Sequence, residues 1–348
     1  IVHCHDWHAA LIPVFLKFVY KKDPFYKKMK SVMTIHNLAY QGVFSGWDFA
    51  RLDLDENLFN IDGLEFYGEM NLLKGGIVFC DRLTTVSPGY AKEVQKEELG
   101  YGLAGAIRKK GITGILNGLD YDFWNPQKDP LIAERYFPGE LQNKSANKKN
   151  LQSRLQLPVR EDIPLFGFVG RLSEQKGLDL IAECNEEMMK QDLQVVFLGT
   201  GDEKYYRMLR SLARRYRGKA AIHLEHDEPM AHQIYAGSDI FLMPSVYEPC
   251  GLSQMISLRY GTIPLVYKTG GLADTISHFN ASNGRGNGFV FDEYNAGSFV
   301  DAIEIAVKTF QDKKAFHKLV KKAFTCNFSW EESSKEYKKL YQQCLQSA

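Results

Sequence analysis

The feature that most limits the fold is an alternation. Short, nearly uninterrupted apolar runs rich in β-branched residues are separated by stretches with helical spacing. Val32-Met33-Thr34-Ile35-His36, Leu83-Thr84-Thr85-Val86 and Ile112-Thr113-Gly114-Ile115-Leu116 read as strands, as do 165–169, 193–198, 221–224, 240–243 and 263–267. Runs that are apolar at almost every position suit parallel strands covered on both faces. Helical periodicity fills 176–190, 203–217, 252–260 and 296–310. Alternation of this kind predicts βαβ units and an α/β fold built from doubly wound parallel sheets.

At 348 residues the chain has room for about two such domains. The rhythm breaks between 124 and 150, where Pro126, Pro130 and Pro138 stand among Asn, Lys and Glu. That segment is predicted to be the crossing between domains. The expected division is a first domain over 1–123, a second over 124–326 with its crossing at 124–150, and a terminal helix in 327–348. The helix carries Tyr337, Leu340, Tyr341 and Leu345 on one side and is expected to pack back toward the first domain.

Composition removes whole classes of function. Lys and Arg number 43 against 42 Asp and Glu, a net charge of +1 that supplies no field for a polyanion, so nucleic acid is not expected as a partner. No apolar run approaches the roughly 18 residues of a membrane span, and no membrane partner is expected. Six scattered cysteines with no C-x-x-C pair argue against a zinc site or a disulfide framework, and for a reducing compartment. With no targeting peptide in view, a cytoplasmic location is expected, or a plastid in a plant. The chain starts on Ile1-Val2-His3-Cys4-His5, which reads as a strand end entering a loop. A segment ahead of Ile1 is therefore expected to be missing.

In a doubly wound sheet, ligands sit beyond the carboxyl ends of strands, so the turns there matter most. After the strand at 240–243 comes Ser245-Val246-Tyr247-Glu248-Pro249-Cys250-Gly251-Leu252, a carboxylate, a proline and a glycine just before a helix. Free N–H groups at such a helix start form an anion site; the plainer alternative is a tight turn with Glu248 favouring the helix terminus. After 165–169 comes Gly170-Arg171-Leu172-Ser173-Glu174-Gln175-Lys176-Gly177, two cations at a helix start. That is the unfavourable end for positive charge unless an anion joins them, so Arg171 and Lys176 point to a diphosphate. Lys268-Thr269-Gly270-Gly271-Leu272 again sends glycine backbone to a helix start, whereas Gly199-Thr200-Gly201-Asp202 also reads as a tight turn. Together these turns predict a nucleotide diphosphate in the second domain.

The first domain holds His3-Cys4-His5-Asp6-Trp7-His8 and His36-Asn37-Leu38-Ala39-Tyr40-Gln41-Gly42. Three histidines and an aspartate within six residues also fit a metal cluster, but no partner group recurs downstream at ligand spacing. The polar–aromatic mixture suits sugar hydroxyls, with Trp7 or Tyr40 against an apolar sugar face; satisfied polar groups at strand ends remain the alternative. Asn117-Gly118-Leu119-Asp120 lies where the first domain ends.

At these residues the chain resembles a known family. His5-Asp6-Trp7-His8, 36–42, Thr85-Val86-Ser87-Pro88, Ile115-Leu116-Asn117-Gly118, 170–178, Glu248-Pro249-Cys250-Gly251-Leu252 and 268–273 stand in the order seen in bacterial glycogen synthases and plant starch synthases. The resemblance covers essentially the whole chain. It implies the GT-B fold: two Rossmann-like domains facing a cleft, here with the first incomplete at its amino terminus. It also implies transfer of glucose, with retention, from ADP-glucose to the non-reducing 4-hydroxyl of an α-1,4-glucan, with neither cofactor nor metal.

By the same resemblance, His8, Arg171, Lys176 and Glu248 would form the catalytic set. Asn117, His226, Cys250, Gly251, Leu252, Thr269, Gly270 and Gly271 would hold the donor. Asp6, Trp7, His36, Asn37, Tyr40 and Gln41 would contact substrate. The family's amino-terminal Lys-x-Gly-Gly-Leu loop is absent, so little transfer is expected from these residues alone. His226 stands where relatives often place an aromatic residue against adenine, and Ile256 stands eight residues beyond Glu248 where related transferases carry a second carboxylate. The alternatives are a related transferase using UDP-glucose, a glucan-binding protein without catalysis, and a metal-dependent hydrolase built on the histidines.

Overall fold

The computed structural model describes residues 1–138 and 141–346; Gly139 and Glu140 in the expected crossing, and Ser347 and Ala348 in the expected terminal segment, lie outside the described residues. The chain divides into two compact units, Ile1–Asn117 with Glu331–Ala348, and Gly118–Trp330. The division falls six residues before Trp124.

In the first unit, β1 (Val2–His5), β2 (Ser31–Ile35), β6 (Arg82–Thr85) and β7 (Thr113–Gly114) form a parallel sheet in that order. Every residue of β2 is buried, as its apolar composition requires. The strand expected over 112–116 pairs only at Thr113–Gly114. A small antiparallel sheet of β3 (Val43–Phe44), β4 (Glu65–Phe66) and β5 (Glu69–Asn71) stands apart and has no counterpart in the sequence reading, its strands being two or three residues long. The helix Trp330–Gln346 places Leu340 and Cys344 in a buried cluster with Val32 and Ile115, flanked by Tyr337 and Tyr341. Cys344, not the exposed Leu345, completes the apolar stripe, since the i, i+3, i+4, i+7 pattern from Tyr337 reaches position 344.

The second unit is a six-stranded parallel sheet in the order β10 (Ala220–His223), β9 (Gln194–Leu198), β8 (Leu165–Val169), β11 (Ile240–Met243), β12 (Ile263–Tyr267) and β13 (Phe289–Phe291). Strands β9 and β11 are buried throughout, helices such as Leu178–Lys190 and Glu203–Arg215 connect the strands, and Ala296–Gln311 follows the last of them.

The expected crossing is more ordered than its composition implies. A helix, Leu141–Arg154, occupies its second half and continues past 150. It has no apolar stripe; besides Leu151 it buries Lys144, Asn147, Lys148 and Gln152. The side-chain nitrogens of those four polar residues are all hydrogen-bonded, which is how a polar helix face is buried without cost in unmet donors. Lys144 Nζ donates to Ala236 O at 3.0 Å, Ser238 O at 3.0 Å and Thr262 Oγ1 at 2.7 Å. Lys148 Nζ meets Ile163 O at 2.6 Å and Asp239 Oδ2 at 2.7 Å.

Candidate functional site

The strand order of the second unit reverses at its middle. The chain winds outward from β8 through β9 to β10, returns to β11 on the other flank of β8, and continues through β12 to β13. Two neighbouring parallel strands whose connections leave in opposite directions open a crevice beyond their carboxyl ends. The loops bordering that crevice follow β8 and β11, and they carry Arg171, Lys176 and Glu248.

Lys176 was expected to open a helix. It lies instead on a separate 3₁₀ turn, Glu174–Lys176, and the helix starts after it at Leu178. The break is at Gly177, whose φ of +77° favours glycine and whose missing side chain lets the carbonyl of Pro244 approach; a Cβ there would lie 1.9 Å from that oxygen. The same close approach brings the two loops together. Val246 N–H donates to Gln175 O at 2.9 Å, and Gln175 Nε2 donates to Tyr247 O at 3.3 Å. Lys176 Nζ then reaches Glu248 Oε2 at 2.5 Å, and Ser245 Oγ donates to the same oxygen at 3.1 Å. The Glu248 side chain is 9% exposed and that of Lys176 24%, so the pair is shielded yet open on one side. Arg171 is exposed on the same loop.

The turn after β12 joins this construction from the other flank. Gly271 N–H donates to Glu248 O at 3.0 Å, and a Cβ on Gly271 would stand 2.1 Å from Cys250 O. The N–H of Gly271 is thus turned inward to brace the Glu248 loop, and Thr269 N–H likewise bonds Tyr267 O at 3.0 Å. Cys250 is buried and its carbonyl accepts from Gln254 Nε2, while Gly251 and Leu252 stand at the start of the helix Ser253–Arg259. Gly199 and Gly201 have a packing reason for being glycine: added Cβ atoms would stand 1.8 Å from Gly170 O and 2.1 Å from Leu172 O. His226 is exposed on the loop after β10.

In the first unit the substrate candidates gather at the carboxyl ends of β1 and β2. Asp6 adopts a φ of 55°, uncommon for a residue with a side chain, and its Oδ1 accepts from His36 N–H at 2.7 Å. Asp6 therefore ties the two strand ends together. His5 Nδ1 and His36 Nε2 share a hydrogen bond of 2.9 Å. Trp7 stacks on His8 at 3.9 Å between centroids, and a Cβ on Gly42 would meet its ring at 2.5 Å, so the indole is packed rather than offered as a platform. Tyr40 and His8 are exposed, and Asn37 caps its own turn through Ala39 N–H.

Gln41 is buried, its Nε2 donating to Tyr101 O at 3.1 Å and its Oε1 accepting from Asn71 Nδ2 at 2.6 Å. His3 has both ring nitrogens engaged, with Tyr341 Oη at 2.8 Å and Thr34 Oγ1 at 2.6 Å. Burial, then the neighbouring His5 and His36, push it down to about 4. Among the described residues no group of three or more His, Cys, Asp or Glu is arranged to hold a metal ion. Asn117 ends the first unit half-buried.

The sequence reading missed one buried network entirely. Asp129 Oδ2 takes His232 Nδ1 at 2.7 Å and Tyr260 Oη at 2.5 Å, and Trp124 stacks on His232 at 4.2 Å. It anchors the first half of the crossing. Burial drives the Tyr260 phenol far up, with Asp129 adding to the rise. Its only advance signal was a lone acid between prolines.

Comparison with known proteins finds matches over nearly the whole chain. The family model described as "Starch synthase catalytic domain" matches residues 1–109, and "Glycosyl transferases group 1" matches 150–325. A glycogen synthase of Fervidobacterium nodosum is 49% identical over 344 residues, covering 98% of this chain and 71% of that protein. The solved catalytic domain of Starch Synthase IV from Arabidopsis thaliana, bound to ADP and acarbose, superposes with a TM-score of 0.92 at 34% identity, over 99% of this chain and 72% of that one. Sucrose-phosphate synthase from Thermosynechococcus elongatus, at TM-score 0.60 and 18% identity over 99% of this chain and 74% of that one, is similar in fold.

Proposed function

This chain belongs to the glycogen and starch synthase family of GT-B hexosyltransferases, and on that premise we propose how its residues divide the work of transferring glucose from ADP-glucose to an α-1,4-glucan. The observation that carries the proposal is the position of Arg171, Lys176 and Glu248 on the two loops that border the strand-order reversal.

The glucose C1–oxygen bond to the diphosphate breaks, a bond to the acceptor 4-hydroxyl forms on the same face, and ADP leaves with added negative charge. Arg171 and Lys176 offset that charge, aided by the positive ends of helices nearby. The proposal gives this task to side chains and backbone, with no metal. Glu248 Oε1, which makes no hydrogen bond among the described residues, accepts from a hydroxyl of the donor glucose. His226 receives the adenine: β10 lies two strands from β8, roughly 10 Å at the usual strand spacing, about the reach from a diphosphate to its base. In the first unit, His8, His36, Asn37 and Tyr40 are assigned to sugar. Asp6 and Trp7 act behind them by holding the strand ends and His8.

Competition between labelled ADP-glucose and UDP-glucose for incorporation into glucan, with and without a chelator, tests this reading. Preferred incorporation from ADP-glucose, unaffected by chelation, is expected. Equal or faster use of UDP-glucose overturns the donor assignment, and loss of activity with the chelator overturns the metal-free one.

A further inference from the structure

We propose that Ser245 is a positioning residue that sets the rotation of the Glu248 carboxylate and thereby the preference for the sugar-bearing donor over the bare nucleotide; this rests on Glu248 contacting the donor glucose.

Glu248 has two oxygens, each able to accept about two hydrogen bonds. Oε2 receives both Lys176 Nζ, at 2.5 Å, and Ser245 Oγ, at 3.1 Å. The two donors thus converge on one oxygen and leave Oε1 turned away from both. A lysine alone cannot hold that orientation. The terminal torsion of a glutamate is broad, and an ammonium on a four-carbon stem follows the carboxylate as it turns. Ser245 differs on both counts. Its hydroxyl oxygen is placed by a single torsion, and the residue is 1% exposed directly after Pro244, at the end of β11.

The backbone beneath the three side chains is fixed as well. The Val246–Gln175 and Gln175–Tyr247 hydrogen bonds pin the loop bearing Ser245 and Glu248 to the turn bearing Lys176. Gly177 against Pro244 permits no wider spacing to be filled by a side chain. With both loops pinned, the donor on Oε2 that is least free to move is the serine. Removing its hydroxyl leaves the carboxylate free to turn about its terminal torsion, so Oε1 loses its aim at the sugar, while the long Lys176 stem keeps its ammonium within reach of a diphosphate. The diphosphate contacts of Arg171 and Lys176 have no direct dependence on that aim. The effect therefore falls on ADP-glucose and spares ADP.

Calorimetric affinities for ADP and for ADP-glucose, measured on the parent chain and on Ser245→Ala, Ser245→Thr and Glu248→Gln, test this. Ser245→Ala should weaken ADP-glucose about tenfold, the effect of losing one hydrogen bond to a charged group, with ADP within about twofold of the parent. Ser245→Thr, which keeps the hydroxyl, should recover most of the loss. Equal weakening of both ligands by Ser245→Ala would mean a collapsed loop and overturns the proposal, as does parental ADP-glucose affinity in Ser245→Ala when Glu248→Gln has lost it. If Glu248→Gln itself binds ADP-glucose as the parent does, the glucose contact is what fails. Should the alanine variant not fold, Ser245→Cys keeps the volume, gives up most of the donor strength and is read the same way.

Discussion

The second unit uses a lysine and a carboxylate at both ends of one sheet, to opposite ends. At the amino ends of β8 and β11, Lys148 pairs with Asp239 at 2.7 Å, their side chains 6% and 14% exposed. Asp239 also accepts from Leu165 N–H at 2.8 Å, and Lys144 beside them meets three acceptors. At the carboxyl ends, Lys176 and Glu248 are just as close, but the lysine is a quarter exposed. At the amino ends the ammonium groups are shut away among protein acceptors, and a pair saturated in that sense can only hold the fold. A pair shielded on all sides but one can bind something. Closeness of charges does not separate the two cases, nor do the bonds on the carboxylate, two on one oxygen in each pair; exposure of the ammonium does.

The largest expected effect belongs to the saturated end. Asp239→Ala strands the buried Lys148 ammonium and should cost about 3–5 kcal/mol of stability, with ADP affinity per folded molecule unchanged. Denaturant unfolding and calorimetry read both quantities. A loss of ADP affinity at parental stability would invert the comparison.

Next comes the open end. Lys176→Ala should lower kcat for glucose transfer by about 10²-fold, more than it raises the donor KM, because the cation acts on charge that grows as the diphosphate leaves. The melting temperature should barely move, Glu248 retaining Ser245 and its exposed side. A large fall in melting temperature with a normal kcat would make Lys176 a structural partner like Lys148.

How much of this was legible beforehand follows the same divide. The strands of the second unit were readable because strands covered on both faces must be apolar at nearly every position, as 240–243 and 263–267 are. That Arg171, Lys176 and Glu248 lie beyond strand ends was readable because each follows an apolar strand within a few residues. The helix Leu141–Arg154 was not readable. Its inward face is Lys, Asn and Gln with a single Leu, and that face is buriable because the carbonyls of Ala236, Ser238 and Ile163 and the side chains of Thr262 and Asp239, none of them in the helix, meet its ammonium groups. The burial of Gln41 was not readable for the same reason: Asn71 and Tyr101, which bond its amide, lie 30 and 60 residues away. Ser245 gave no signal, since a serine after a strand is ordinary until its one acceptor is known.

A smaller effect distinguishes how the saturated end holds its charge. Burial pushes Lys144 down to about 7 from an ordinary 10.5, though three acceptors face it. Between those values the unfolded chain binds more protons than the folded one, so this group makes stability rise with pH across the window, by at most about 1.4 kcal/mol per pH unit. Parent minus Lys144→Met stability should therefore climb from about pH 7 to about pH 9.5. A flat difference would mean the acceptors keep the ammonium charged and the pair of lysines is ionic throughout.

The smallest effect tests the joint beneath the open end. Gln175 holds the Glu248 loop twice, through its carbonyl to Val246 N–H at 2.9 Å and through its side chain to Tyr247 O at 3.3 Å. Gln175→Ala removes only the longer bond. The backbone bond and the Gly177–Pro244 approach remain, so Lys176 and Glu248 should stay paired with slightly more play. One neutral hydrogen bond at that distance corresponds to a loss of about threefold in kcat, with ADP affinity and melting temperature near parental values. Gln175→Glu sharpens the test, because it keeps the shape while setting a carboxylate against the Tyr247 carbonyl, and should cost more than alanine. If both variants transfer glucose as the parent does, the pinning resides in the backbone alone, and the open pair owes its geometry to Gly177 rather than to the side chain before it.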